Sequence, residues 1–90
     1  MTKTVVKRAG HSEDFDERKL YASVYASLIA LRHTDQEAEL VADKVVTYVK
    51  KWLEKKHEVT SRDLLHKAAN VLISYNEDAA YLYQHHRSIS

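Results

Sequence analysis

Cysteine is absent from the 90-residue chain, which excludes disulfides, thiolate catalysis, iron–sulfur clusters and cysteine-based zinc ribbons together. Proline is absent too and glycine occurs once, at Gly10, so the chain carries little turn chemistry and much helix-compatible material. A phosphate-cradling Walker loop needs several glycines followed by Lys-Ser or Lys-Thr, and a single glycine cannot supply it. No serine stands in a Gly-x-Ser-x-Gly elbow, so nucleophilic catalysis lacks its parts and no enzymatic activity is expected. Long apolar runs are also missing. The longest, Leu28–Leu31, falls far short of the roughly 18–20 residues that span a bilayer, and Lys3, Lys7 and Arg8 flank nothing like a signal peptide. The expected location is cytoplasmic, with no membrane partner. Net charge is close to nil, 14 Lys+Arg against 13 Asp+Glu, so nucleic acid is not an expected partner.

What is present is 44% hydrophobic and 30% charged residues, patterned for an α+β, mostly α-helical domain. A chain this short buries only about 60–65% of its unfolded surface, which supports one core and one domain, residues 1–90. Thr4, Val5 and Val6, branched at Cβ, predict a strand; Gly10 turns it into a short hairpin over about 3–15. Helix one is predicted over about 16–31, with Asp16 capping it and Leu20, Val24, Leu28 and Leu31 at helical spacing. Thr34 and Glu37 have the spacing of a capping box and open helix two, about 35–56, with Ala38, Val41, Val45, Tyr48 and Trp52 as its apolar stripe. Val59 predicts a third short strand before Thr60 or Ser61 caps helix three, about 61–74, whose stripe is Leu64, Leu65, Ala68, Val71 and Leu72. Asn76 caps helix four, about 77–87, with Ala79, Ala80, Leu82 and Tyr83 inward.

Several candidate constellations have plain structural explanations. Lys50, Lys51, Lys55 and Lys56 crowd the end of helix two, where the helix dipole favours cations, and read as a solvated face before they read as a phosphate patch. His85 and His86 point roughly 100° apart on a helix and cannot face one metal as an i, i+4 pair would. Trp52 reads as a core anchor, and the six tyrosines as core or rim packing. The N-terminal cluster is less easily dismissed. Lys7 and Arg8 precede the glycine turn and Lys19 lies in the first turn of helix one, where backbone N–H groups favour anions. Val5, Phe15 and Leu20 offer an apolar slot for a base, and Glu13 an acceptor for an exocyclic amine. The residues alone leave both a solvated charged hairpin and a polyphosphate site open.

The run VVKRAGHSEDFDERKL, Val5 to Leu20, resembles the opening signature of the ATP-cone, the nucleotide-binding regulatory domain of ribonucleotide reductases and of their transcriptional repressor. Glu58 to Leu64 is similar to the family's short strand and helix start, and Asp78 to Tyr83 to its last helix, so nearly the whole chain is covered in order. The resemblance implies a three-stranded β cap on a four-helix bundle, and binding of ATP or dATP with Mg²⁺ as an allosteric signal. It places Lys7, Arg8, Lys19 and Thr60 near phosphates, and Val5, Phe15 and Leu20 around adenine. Glu13 and Asp16 fall on the polar edge of the base or the ribose, and His66 falls near a ribose contact. Two departures stand out: Ala9 replaces the usual Asp before the glycine, and Gln84-His85-His86-Arg87 stands where an aromatic-Arg pair is common. The expected partners are the adenine nucleotide, a second copy of the chain, and a ribonucleotide reductase or transcriptional regulator. A helical interaction module that has lost nucleotide binding is the alternative.

Overall fold

Three short strands and four helices succeed one another in the computed structural model, which describes residues 4–6 and 12–88, without the side chains of Glu13 and of residues 86–88. β1 (Thr4–Val6) pairs antiparallel with β2 (Ser12–Asp14) and parallel with β3 (Glu58–Thr60), giving the order β2-β1-β3. The turn around Gly10, expected to close the hairpin, lies outside the described residues. A parallel neighbour needs a long crossover. Here it consists of two helices, α1 (Glu17–Ala30) and α2 (Asp35–Glu54), and β3 then feeds α3 (Ser61–Ile73) and α4 (Glu77–Ser88).

Each helix starts where a side chain satisfies its first free N–H groups. Asp16 Oδ1 accepts from the amides of Arg18 and Lys19 at 3.0 and 3.2 Å, and Thr34 and Thr60 each close a capping box, with Glu37 and Asp63. Asn76 Oδ1 accepts from Ala79 N at 2.9 Å and opens α4. The end of α1 is less orthodox. His33 N bonds to Leu28 O and Arg32 N to Ile29 O, the paired bonds of a Schellman motif, and the left-handed residue they require is Arg32, at φ 65°. A chain with its one glycine at position 10 has none to place there.

α1 packs chiefly on α2 and α3 on α4, with α2 against α3 and α1 against α4 closing the bundle. Leu20, Val24 and Leu28 meet Ala42, Val45, Val49, Leu53, Leu72 and Tyr83 in one core, which Val5 and Val59 of the sheet cover at one end. Ala38, Ala68, Ala69, Ala79 and Ala80 are fully buried small residues that let the helices approach closely. The apolar stripe of α2 corrects the sequence-based one. Ala38, Ala42, Val45, Val46, Val49 and Leu53 face inward, Val41 is half-buried, and Tyr48 is exposed. Trp52, expected as a core anchor, is also half-buried, with Lys56 Nζ 5.7 Å above its ring. Leu31, Leu64, Leu65, Val71 and Leu82 are likewise half-buried on the flanks of the core. Of the tyrosines, Tyr83 is in the core, Tyr21 and Tyr25 are half-buried and stacked, and Tyr48, Tyr75 and Tyr81 are exposed.

Candidate functional site

Strand register arranges the sheet in three rows: Asp14, Thr4 and Glu58; Glu13, Val5 and Val59; Ser12, Val6 and Thr60. Side chains alternate along each strand, so the middle row sends Val5 and Val59 into the core while Thr60 is exposed. Because β1 and β3 run the same way, both leave the sheet at the Val6–Thr60 row. Residue 7 follows Val6 in the chain, and α3 begins immediately after Thr60. The strand that leads to Lys7 and Arg8 and the start of α3 therefore share one edge. Lys7 and Arg8 themselves, and the side chain of Glu13, lie outside the described residues.

The apolar candidates converge, but not as an open slot. Val5 and Leu20 are 3% and 4% exposed, both within the core, whereas Phe15 packs against that core and keeps accessible surface. Asp16 and Lys19 are exposed at the start of α1, beyond the opposite row of the sheet. The expectation of open anion-favouring amides there is corrected. The amides of Arg18 and Lys19 already donate to the Asp16 carboxylate, so a ligand at that end is met by the Lys19 side chain rather than by those amides. At α3, Thr60 Oγ1 accepts from Asp63 N at 3.0 Å while Thr60 N donates to Asp63 Oδ2 at 3.2 Å. A hydroxyl that accepts in this way still has its O–H proton to donate, which suits a phosphate oxygen.

The lysines at the end of α2 are exposed, as expected of a solvated face, and Lys50 pairs with Glu17 at 3.1 Å across the α1–α2 seam. A groove of about 400 Å³ runs between the end of α2, β3 and α3; Trp52, Lys56, Asp63, His66, Lys67 and Asn70 contribute to its lining. Among the described residues, His66 is thus the one sequence-based candidate in that groove, on the α2 side of α3. The groove itself escaped the sequence reading, although Asp63, His66, Lys67 and Asn70, at i, i+3, i+4 and i+7, mark one helical face. A second groove of about 270 Å³, between α1 and α2, holds Glu17, Arg18, Tyr21, Asp43 and Val46. No group of three or more His, Asp or Glu placed to hold a metal ion occurs among the described residues. No described helix is long and apolar enough to cross a membrane.

A three-stranded β cap feeding four self-capped helices, with polar and cationic residues at the described strand–helix junctions, defines a small α+β domain. The family model described as the ATP cone domain matches residues 3–89, and the chain belongs to that family. ATP-cone domains are nucleotide-sensing regulatory modules rather than catalysts; they bind ATP or dATP and typically act on ribonucleotide reductases or repressors. Comparison with curated proteins returns no match.

Proposed function

We propose that this chain binds ATP or dATP across its β cap, from the edge that leads to Lys7 and Arg8 to the start of α1 beyond the opposite row, and passes the binding signal to a partner. The observation that carries the reading is the parallel pairing of Val6 with Thr60, which brings the start of α3 to the edge where β1 leads into Lys7 and Arg8. On this reading Lys7, Arg8, Lys19 and Thr60 hold phosphate oxygens. Phe15, with Val5 and Leu20 completing the apolar surface, meets the adenine, and Glu13 and Asp16 take its polar edge or the ribose. His66 enters as a ribose contact, and its place beside Trp52 makes a His66 variant a report on whether the ligand reaches that side of α3. On this reading Mg²⁺ arrives with the triphosphate, whose oxygens are its principal ligands. The site of action is cytoplasmic, and the signal goes to a ribonucleotide reductase, a transcriptional regulator or a second copy of the chain.

Single Ala substitutions of Lys7, Arg8 and Lys19 test the site by calorimetry. A charge-assisted bond to phosphate contributes about 1.5–3 kcal/mol, so each variant should lose roughly tenfold or more in ATP affinity. Adenosine, lacking the phosphates, should bind these variants and the parent alike, and Lys51→Ala should behave as the parent. Equal ATP binding by the Lys7, Arg8 and Lys51 variants would overturn the assignment. Absence of ATP binding by the parent itself would favour an interaction module that has lost its nucleotide.

A further inference from the structure

Two helix N-caps distant in sequence are wired together through one imidazole. Thr34 N and Thr34 Oγ1 both donate to Glu37 Oε1, and Glu37 Oε2 lies 3.5 Å from His33 Nδ1. On its other side, His33 Nε2 lies 2.8 Å from Asn76 Nδ2, and the oxygen of that same carboxamide accepts from Ala79 N to cap α4. The His33–Asn76 contact bridges 43 residues of chain and joins the α1–α2 corner to the α3–α4 corner.

Donor and acceptor roles propagate along this chain without freedom. A backbone N–H can only donate, so the cap fixes Asn76 Oδ1 on Ala79. The other end of the carboxamide, an NH₂ group, can only donate, so His33 Nε2 has to accept and the ring proton has to sit on Nδ1, facing the Glu37 carboxylate. An imidazolium breaks this order because both of its nitrogens donate. Nε2–H then meets the Asn76 NH₂, donor against donor. Turning the carboxamide over repairs that contact but presents the NH₂ to Ala79 N–H.

We propose that His33 is a proton-sensitive latch: neutral, it locks the N-cap of α4 to the capping box of α2, and protonated, it releases the α4 cap while holding Glu37 more firmly. Of the charged groups, Glu37 faces the ring at 3.5 Å; Arg32 and Asp35 flank His33 in the chain, with Asp35 accepting from Tyr25, and Glu77 and Asp78 follow Asn76 in the first turn of α4. Glu37 is held below the usual carboxylate range, first by its bonds from Thr34 and then by His33, so the group facing the ring at Nδ1 is a carboxylate. The latch does not depend on nucleotide binding.

The test is NMR on the intact chain at pH 8 and pH 5, reading the ¹⁵N shifts of the His33 ring and the exchange protection of the Ala79 amide relative to other α4 amides. The latch requires the Nδ1–H tautomer at pH 8. It also requires a fall in Ala79 protection of about fivefold at pH 5, the size of one lost N-cap. His33→Gln puts a non-titrating acceptor oxygen near the position of Nε2, and its Ala79 protection should hold between the two pH values. Asn76→Asp offers carboxylate oxygens to both the ring and Ala79, and should hold as well. An Nε2–H tautomer at pH 8, or a parent whose Ala79 protection changes with pH no more than that of His33→Gln, would overturn the proposal.

Discussion

At the scale of single residues, much of what fixes this chain is the choice of group at the ends of helices. Thr34 and Glu37 satisfy each other's backbone donors at the start of α2. Thr34→Ala should cost about 1 kcal/mol, which thermal unfolding would register as a fall of about 4–8 °C in so small a domain. The same box has a pH signature. Bonds from the Thr34 hydroxyl and amide, and then the nearby His33, hold the Glu37 carboxyl below its ordinary range. A carboxyl lowered on folding contributes stability that is fully present above its unfolded value and is lost as pH falls through the folded value. Glu37→Gln should therefore flatten that part of the acid limb of stability against pH and leave the slope above pH 7 unchanged; an unchanged acid limb would contradict the assignment. Arg32 points the other way. A non-glycine residue in the left-handed region costs about 1–2 kcal/mol, part of which glycine returns as chain entropy. Arg32→Gly should raise stability by about 0.5–1 kcal/mol, read as a higher denaturant midpoint at unchanged slope.

Among the elements, the four helix starts were legible because each carries a side chain that can only do one thing well there: Asp16, Thr34, Thr60 and Asn76 all accept from the amides expected. Strands β1 and β3 announced themselves through Val5, Val6 and Val59, but their parallel register did not, since pairing direction depends on how α1 and α2 carry the chain across. The end of α1 was legible near residue 31, but the left-handed turn at Arg32 was not, for want of a glycine. The inward face of α2 was misassigned because large aromatics were weighted above small residues. Tyr48 and Trp52 fit a three-and-four spacing, yet the closely packed bundle takes Ala42, Val49 and Leu53 instead. That correction has a measurable form. Leu53→Ala, in the buried core, should cost about 2–5 kcal/mol, whereas Tyr48→Ala, half exposed on α2, should leave the unfolding midpoint near that of the parent. Similar losses from the two variants would restore the stripe read from sequence. The candidate site divides in the same manner. The residue types around the hairpin were readable as anion-binding chemistry, while the covered state of Val5 and Leu20, and the occupation of the α1 amides by Asp16, emerge only from packing.

For the whole molecule, the small core makes ligand binding visible as stability. A ligand that binds only the folded state at one hundred times its dissociation constant contributes about 2.7 kcal/mol, roughly 10–20 °C in a domain of this size. The sensing role also requires that binding be coupled to something else, since a nucleotide that favours one assembled form must be bound more tightly by that form. Sedimentation with ATP, with dATP and without nucleotide should accordingly show a change in association; one identical monomer in all three would leave a different protein as the receiver. The most direct measurement of the central claim is thermal unfolding of the intact chain across a series of Mg²⁺-ATP and Mg²⁺-dATP concentrations up to millimolar, with adenosine alongside. The midpoint should climb with the logarithm of triphosphate concentration above the dissociation constant and move far less with adenosine. A cooperative transition that stays fixed in every adenine nucleotide would contradict the nucleotide-sensing reading of this chain.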